Sequence, residues 1–436
     1  MLYFKWLLKR LIFFRRIMIE LYNQIIYEKQ SQFILHPTNA HRCPCEAVLF
    51  YSLLGRFFFG FKEILSLVSN NKLFKKSISL DGFDKSIDYK SLYKKGDNSY
   101  LYPKSPMIQT DNIKIEDTFY EKISRSYFLA HQEEESSRGL TQEWSSISKL
   151  YQNIFFSDKT IIRENIENFR GDPKIYNQIF TNNFIYISKE ESYNKNYMNA
   201  IDLVLDYHKQ ATRMESLFLA SLSESTAGNH LCVNYRGKRL SKELLYHAVV
   251  SHDIITHVPN LSKGEREIIL DIGAGFGGVA RILSFYRENT TQILLDLPET
   301  LLLTAYYLKD NFPNKKIALL EDIYPNLDNL DEIIRDYDFI LIPPFVLNYL
   351  KDKSVDLVMN TTSLGFMSKD YLDYYLKETS RVLKDGGYFY SLNSTKSIDG
   401  GVGSYDWDYK KEYLTIAYGF DNRFAYPQWL GKKYKT

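Results

Sequence analysis

EIILDIGAGFGGVARIL, residues 267–283, decides the fold. Its opening residues make a short apolar run of the length of a buried strand. Gly273, Gly275, Gly277 and Gly278 then form a glycine turn, and VARIL starts a helix. Glycines in such a turn let the backbone bend sharply and approach a ligand where a side chain would collide. Working outward, TQILLDLP (291–298) is a second apolar strand, followed by a helix over Leu301–Lys309. IALLEDI (317–323), DFILIPPF (338–345), VDLVMNTTSL (355–364) and YFYSLNS (388–394) are each strand-like, and YLDYYLKETSRVL (371–383) is a helix ahead of Lys384-Asp385-Gly386-Gly387. Short apolar strands alternating with helices predict an α/β, doubly wound, Rossmann-like sheet over residues 240–436.

The preceding chain has a different texture. Residues 31–239 read as a mainly helical region that selects the substrate, with long runs such as EDTFYEKISRSYFLAHQEEE and NAIDLVLDYHKQATRMESLFLASL. Residues 1–30 interleave Lys5, Lys9, Arg10, Arg15 and Arg16 with large apolar side chains. Charge interrupts this segment too often for a membrane span, which needs roughly 20 apolar residues. It reads either as a basic amphipathic helix in peripheral contact with an anionic leaflet or as an ordinary packed helix. It has neither the apolar core nor the cleavage site of a secretory signal.

Composition narrows the function. The 436 residues are 44% apolar and 25% charged, which excludes a disordered chain. With 55 Lys and Arg against 53 Asp and Glu, no global basic field argues for nucleic acid. Cys43-Pro-Cys45 lacks the spacing and second pair of a zinc site, and with three cysteines in all the chain fits a reducing, cytoplasmic compartment. Asp296 ends the second strand, 19 residues beyond Gly277, where a carboxylate can accept both ribose hydroxyls of an adenosine cofactor. Gly273, Gly275 and Gly278 also satisfy a dinucleotide fingerprint, so a nicotinamide enzyme is an alternative.

Here the chain resembles the class I S-adenosylmethionine-dependent methyltransferases over roughly residues 265–395. Asp271-Ile-Gly-Ala-Gly-Phe-Gly277 is similar to their first motif and Leu295-Asp-Leu-Pro-Glu299 to the second-strand motif of many small-molecule O-methyltransferases. VDLVMNTTSLGFM and RVLKDGGYFY resemble the fourth-strand and fifth-strand segments. More narrowly, EIILDIGAGFGGVARIL with LLDLPETLLLTAYYL resembles the sugar O-methyltransferases of bacterial surface-polysaccharide gene clusters. The resemblance implies that Gly273, Gly275 and Gly277 pass beneath the methionine part of S-adenosylmethionine. Asp271 would organise the loop and meet the cofactor's amino group through water, and Asp296 would hold the ribose. Beside the adenine it implies either Phe345 or its rival Asp322, according to which strand is third. Asn360 would lie near the transfer point.

A hydroxyl acceptor must also lose a proton to a histidine or carboxylate. His230, in a polar glycine-containing loop, is the first candidate, with His252 and Asp406 behind it. No acidic cluster spells a metal site, and dependence on a divalent metal stays open. Arg236 and Lys238 suit an anionic acceptor such as a nucleotide-sugar or a lipid-linked saccharide. Pairing with a second copy is left open. The alternatives are a small-molecule or lipid O-methyltransferase and a non-catalytic cofactor-binding scaffold. DNA or RNA methylation is disfavoured, because NTTSL stands after the fourth strand in place of an Asn-Pro-Pro-Tyr or Asp-Pro-Pro-Tyr sequence.

Overall fold

The structure is a computed structural model of the whole chain. It describes residues 114–133, 142–172, 221–259, 266–394 and 401–434, with brief gaps at 231, 236–237, 288, 405–406, 408–409 and 422–425, and isolated positions between 175 and 218. The 1–30 helix and Cys43-Pro-Cys45 lie outside the described residues. The chain divides into two compact units, and the elements below belong to the larger, residues 69–416 with 420–436, save for residues 417–419 within one strand.

The first described part is helical: α1 (Asp117–Gln132), α2 (Gln142–Phe155) and α3 (Arg163–Glu167), with a small hairpin of β1 (Phe156–Ser157) and β2 (Thr160–Ile161) between the last two. A second hairpin, β3 (Val233–Tyr235) and β4 (Lys238–Leu240), leads into α4 (Lys242–His257), where Ser241 caps the helix by accepting from the Leu244 N–H at 2.9 Å.

The sheet domain begins with β5 (Glu267–Ile272), α5 (Gly278–Tyr286), β6 (Thr290–Leu295) and α6 (Pro298–Asn311). It continues through β7 (Ile317–Ala318), the short helices α7 (Leu320–Ile323) and α8 (Leu330–Ile333), β8 (Phe339–Ile342), β9 (Val355–Thr361), α9 (Lys369–Val382), β10 (Leu383–Leu392), β11 (Tyr413–Asp421) and β12 (Tyr426–Lys433). The strands form one sheet in the order β11-β12-β10-β9-β5-β6-β8-β7. Pairings from β7 through β10 are parallel, and β12 joins β10 antiparallel. Strands β5 and β6 are buried along their whole length, as parallel strands covered on both faces must be. The sheet is thus Rossmann-like but mixed.

Two local departures from the sequence reading have physical causes. IALLEDI is only briefly a strand: the Asp322 carboxylate accepts the Leu319 N–H at 2.8 Å and turns LEDI into α7. The closing strands β11 and β12 are not legible in the sequence, because their residues alternate only weakly between apolar and polar.

The N-terminal helices share the sheet's core. Tyr120, Ile123 and Tyr127 of α1, Phe155 of α2 and Phe169 cluster with Leu301, Leu302, Ala305 and Tyr306 of α6 and with Phe339 and Leu341 of β8. Helix α1 packs on both α6 and α7. This burial sets those helices beside the residues at the end of β6.

Candidate cofactor and acceptor site

All the parallel strands deliver their C-terminal ends to one edge, where the functional loops gather. After β5 the backbone takes left-handed conformations at Gly273 (φ +77°), Gly275 (φ +55°) and Gly277 (φ +91°). At Gly273 a side chain is excluded outright: a Cβ there would lie 2.1 Å from Ser363 Oγ. At Gly275 a Cβ would meet nothing within 4 Å, so this face of the loop opens on space.

Asp296, at the end of β6, reaches across to the loop. Its Oδ2 accepts the Gly275 N–H at 2.8 Å and its Oδ1 the Leu297 N–H at 2.7 Å. Burial pushes its carboxyl up to about 6, against the lowering pull of those two N–H groups. Asp271, 2% exposed, carries an Oδ1 that is buried and accepts no hydrogen bond from the protein. Burial, with the Asp296 charge added, raises its carboxyl well above the usual range. A buried carboxylate oxygen without a partner, beside an open glycine turn, is matched to a cationic group such as an ammonium.

The rest of the wall comes from several elements. Asp296 N–H donates to Ile342 O at 3.3 Å, which ties the end of β6 to the end of β8, and Phe345 follows in the turn Pro344–Tyr349. The strand beside β6 is therefore β8, and Phe345, half-buried, stands next in line to Asp296. Asp322 lies past the outer strand β7, where its carboxylate caps α7 and pairs with Lys122 at 2.6 Å. Burial raises the phenols of Tyr151 in α2 and Tyr375 in α9, and the Asp296 charge adds to both. Helix α1 reaches the start of α6, with His131 Nε2 2.9 Å from Glu299 Oε1.

Asn360, fully buried, has a tethering part. Its amide donates to Ile272 O at 2.6 Å and to Ser363 Oγ, and its Oδ1 accepts from Asn393 at 2.7 Å. Both amide hydrogens are bound inside the protein, so the side chain ties together the ends of β5, β9 and β10 at the edge where the resemblance implies the transfer point.

The two histidines proposed as bases are placed elsewhere. His230 is 4% exposed and enclosed by Arg170, Glu224 and Glu243. Its Nε2 is 3.4 Å from Glu243 Oε2, and its Nδ1 is 3.3 Å from Arg170 O. Burial and the Arg170 charge lower it to about 4, so the ring is neutral at pH 7. A proton acceptor must reach the acceptor hydroxyl, which this enclosure denies. His252 is carried away by helix direction. The His247 ring lies against Gly278, at the start of α5, while the Ile254 and Val258 carbonyls at the other end of α4 receive Arg287, just past the end of α5. The helices run parallel, and His252, packed on Phe218 beside Tyr286, sits roughly 8 Å along α4 from His247, away from the glycine loop. Asp406 lies outside the described residues.

Glu224, His230 and Glu243 offer ligand atoms within 4.8 Å of one another, a set with metal-binding chemistry. The positive charge there is supplied by Arg170, whose Nη2 is 3.0 Å from Glu224 Oε2 and also pairs with Glu243. Burial opposes the charge on both glutamates, yet Arg170 holds both carboxyls below the usual range. Neither the Arg170 ion cluster nor the His131–Glu299 contact is legible in the sequence, since Arg170 stands 54 positions before Glu224 and 73 before Glu243, and His131 stands far before Glu299.

Residues 270–391 match the family model described as a methyltransferase domain. Three solved structures are similar over part of the chain. The N-methyltransferase NodS from Bradyrhizobium japonicum WM9, in complex with S-adenosyl-L-homocysteine, is 10% identical, over 43% of this chain and 88% of that one, with a TM-score of 0.30. An O-methyltransferase family protein from Burkholderia thailandensis is 10% identical, over 44% and 60%, with a TM-score of 0.31. The 1,6-didemethyltoxoflavin-N1-methyltransferase of Burkholderia thailandensis is also 10% identical, over 58% and 100%, with a TM-score of 0.29. No curated protein sequence matches the chain. The sheet, the glycine turn and the matched domain define the fold as that of a class I S-adenosylmethionine-dependent methyltransferase. The chain is an S-adenosylmethionine-dependent methyltransferase enzyme. Among the described residues no helix is long and apolar enough to cross a membrane.

Proposed function

We propose that the enzyme methylates a sugar hydroxyl of a nucleotide-linked or lipid-linked saccharide, in the cytoplasm, during the assembly of a surface polysaccharide or glycan. The observation that carries this reading is the run from Asp296 to Glu299 at the end of β6. Its sequence, with that of the loop Asp271–Gly278, resembles the sugar O-methyltransferases, and in the fold both stand at one sheet edge. Arg236 and Lys238, in the segment before α4, are the expected partners of an anionic acceptor.

The residues fit S-adenosylmethionine on the criteria above: an unpartnered Asp271 oxygen for its ammonium, open space over Gly275, and Asp296 for its ribose. When bound, the cofactor supplies an electrophilic methyl group on a sulfonium. The protein's task is alignment and exclusion of water, together with removal of the acceptor proton. With His230 enclosed and His252 in the half of α4 away from the glycine loop, we assign the proton to Asp406, the remaining candidate of the sequence, which lies outside the described residues.

The test is a panel of nucleotide-sugars, lipid-linked saccharides, phenolic small molecules and phospholipids incubated with S-adenosylmethionine, scored by S-adenosylhomocysteine release. Turnover with a saccharide class supports the reading; turnover with phenols or phospholipids alone overturns it. Asp406→Asn is expected to lower kcat about 10²- to 10⁴-fold with little change in cofactor affinity.

A further inference from the structure

The glycine loop carries one aromatic residue, Phe276, and its surroundings come from segments far back in the chain. The Arg170 guanidinium carbon lies 4.7 Å from the centre of the Phe276 ring and 5.7 Å from that of Tyr307. Phe169, His247 and Tyr307 meet the same ring edge-on, at 5.8, 5.4 and 4.9 Å. The guanidinium is itself held by two carboxylates. Its side chain is wholly buried between Glu224 and Glu243, and its backbone N–H donates to Gly228 O at 3.0 Å. Glu224 is in turn fixed by the Ser225 N–H at 2.8 Å and by the Ser241 hydroxyl that caps α4. Gly228 takes φ +73°, where a Cβ would strike the Phe169 ring at 2.5 Å.

We infer that Arg170 is a positioning residue for the cofactor: held by Glu224 and Glu243, it lies over the Phe276 ring and so fixes the glycine turn between Gly275 and Gly277 in its ligand-accepting shape. A turn of three left-handed glycines has few intrinsic conformational limits, so its shape must be imposed from outside. Along the chain Phe276 is the sole side chain in the turn large enough to be gripped. A desolvated cation over an aromatic face supplies that grip with a defined geometry. The ion cluster thereby joins the helical region before α4 to the cofactor loop. This inference rests on the loop being the S-adenosylmethionine site.

Two variants separate the grip from the fold. Phe276→Leu keeps an apolar side chain and removes the ring face, and Arg170→Lys keeps the charge and removes the planar guanidinium. Titration calorimetry with S-adenosylhomocysteine, with thermal midpoints measured in parallel, is expected to show Kd raised roughly tenfold in Phe276→Leu. The losses in the two variants should not add in the double variant, and Phe276→Tyr should restore affinity because the ring face returns. Parental affinity in Phe276→Leu, or additive losses, overturns the proposal. Hydrogen exchange on the unaltered protein gives a reading that needs no variant. Binding should slow exchange at residues 168–171 and 224–230 as well as in the loop, and protection confined to the loop overturns the proposal. If the parent protein binds no S-adenosylhomocysteine, the cofactor reading fails and this inference with it. If the parent binds and the Phe276→Leu affinity is unchanged, only this inference fails.

Discussion

Replacing Asp296 with asparagine is the most informative single perturbation of the cofactor site. The carboxylate accepts two backbone N–H groups through different oxygens, Gly275 at 2.8 Å and Leu297 at 2.7 Å. An amide offers one acceptor oxygen and turns an N–H donor toward the other backbone group. On binding, the ribose hydroxyls also lose a charged acceptor. A hydrogen bond to a charged group contributes about 1.5–3 kcal/mol, and 1.4 kcal/mol is a factor of ten. The expected loss of affinity for S-adenosylhomocysteine is therefore roughly ten- to a hundredfold, read by titration calorimetry at pH 7.5.

The pH dependence provides an internal control. The folded Asp296 titrates at about 6, so the parent's affinity should fall as pH drops through 6, while Asp296→Asn should lack that component. Stability of the unliganded protein changes in the opposite direction. A carboxyl whose folded value lies above the unfolded value, about 3.9, is penalised when ionised in the fold. The unliganded protein should therefore gain stability from this group as pH falls from about 6 toward 4, a gain missing in the asparagine variant. Undiminished affinity in Asp296→Asn, or a parent affinity that is flat between pH 7.5 and 5, would refute the reasoning.

Adjacent glycines should respond differently to alanine. Gly273→Ala places a Cβ 2.1 Å from Ser363 Oγ and should lower both the thermal midpoint and cofactor binding. Gly275→Ala has open space around it and should cost only about 1 kcal/mol of stability for its positive φ, yet weaken titrated binding by more, because the added methyl stands where the ligand approaches. Arg170→Met strands two buried carboxylates and should lower the unfolding free energy by about 3–5 kcal/mol in denaturant melts; a change under 1 kcal/mol would contradict the buried cluster. His252→Ala, in the half of α4 away from the loop, should leave kcat within about twofold of the parent, against the 10²-fold or greater loss of a general base.

The sheet class, the glycine turn and Asp296 were legible in the sequence because each is written in neighbouring residues. An apolar hexamer, three glycines and a helix start are local signals, and the acidic residue ends the next apolar run. Tertiary structure decided what depends on residues distant in sequence. Both IALLEDI and DFILIPPF look like strands, and only pairing with β6 makes β8 the neighbour that carries Phe345, while Asp322 is drawn into capping α7. The histidines look equivalent as letters, yet the direction of α4 takes His252 away from the loop, and Arg170 with two glutamates encloses His230. Asn360 sits at the right strand end, but its amide is consumed by Ile272 and Ser363. Local periodicity records which way a side chain must face; which group it meets there is set by chain crossings dozens of residues apart, and those are settled only when the sheet assembles.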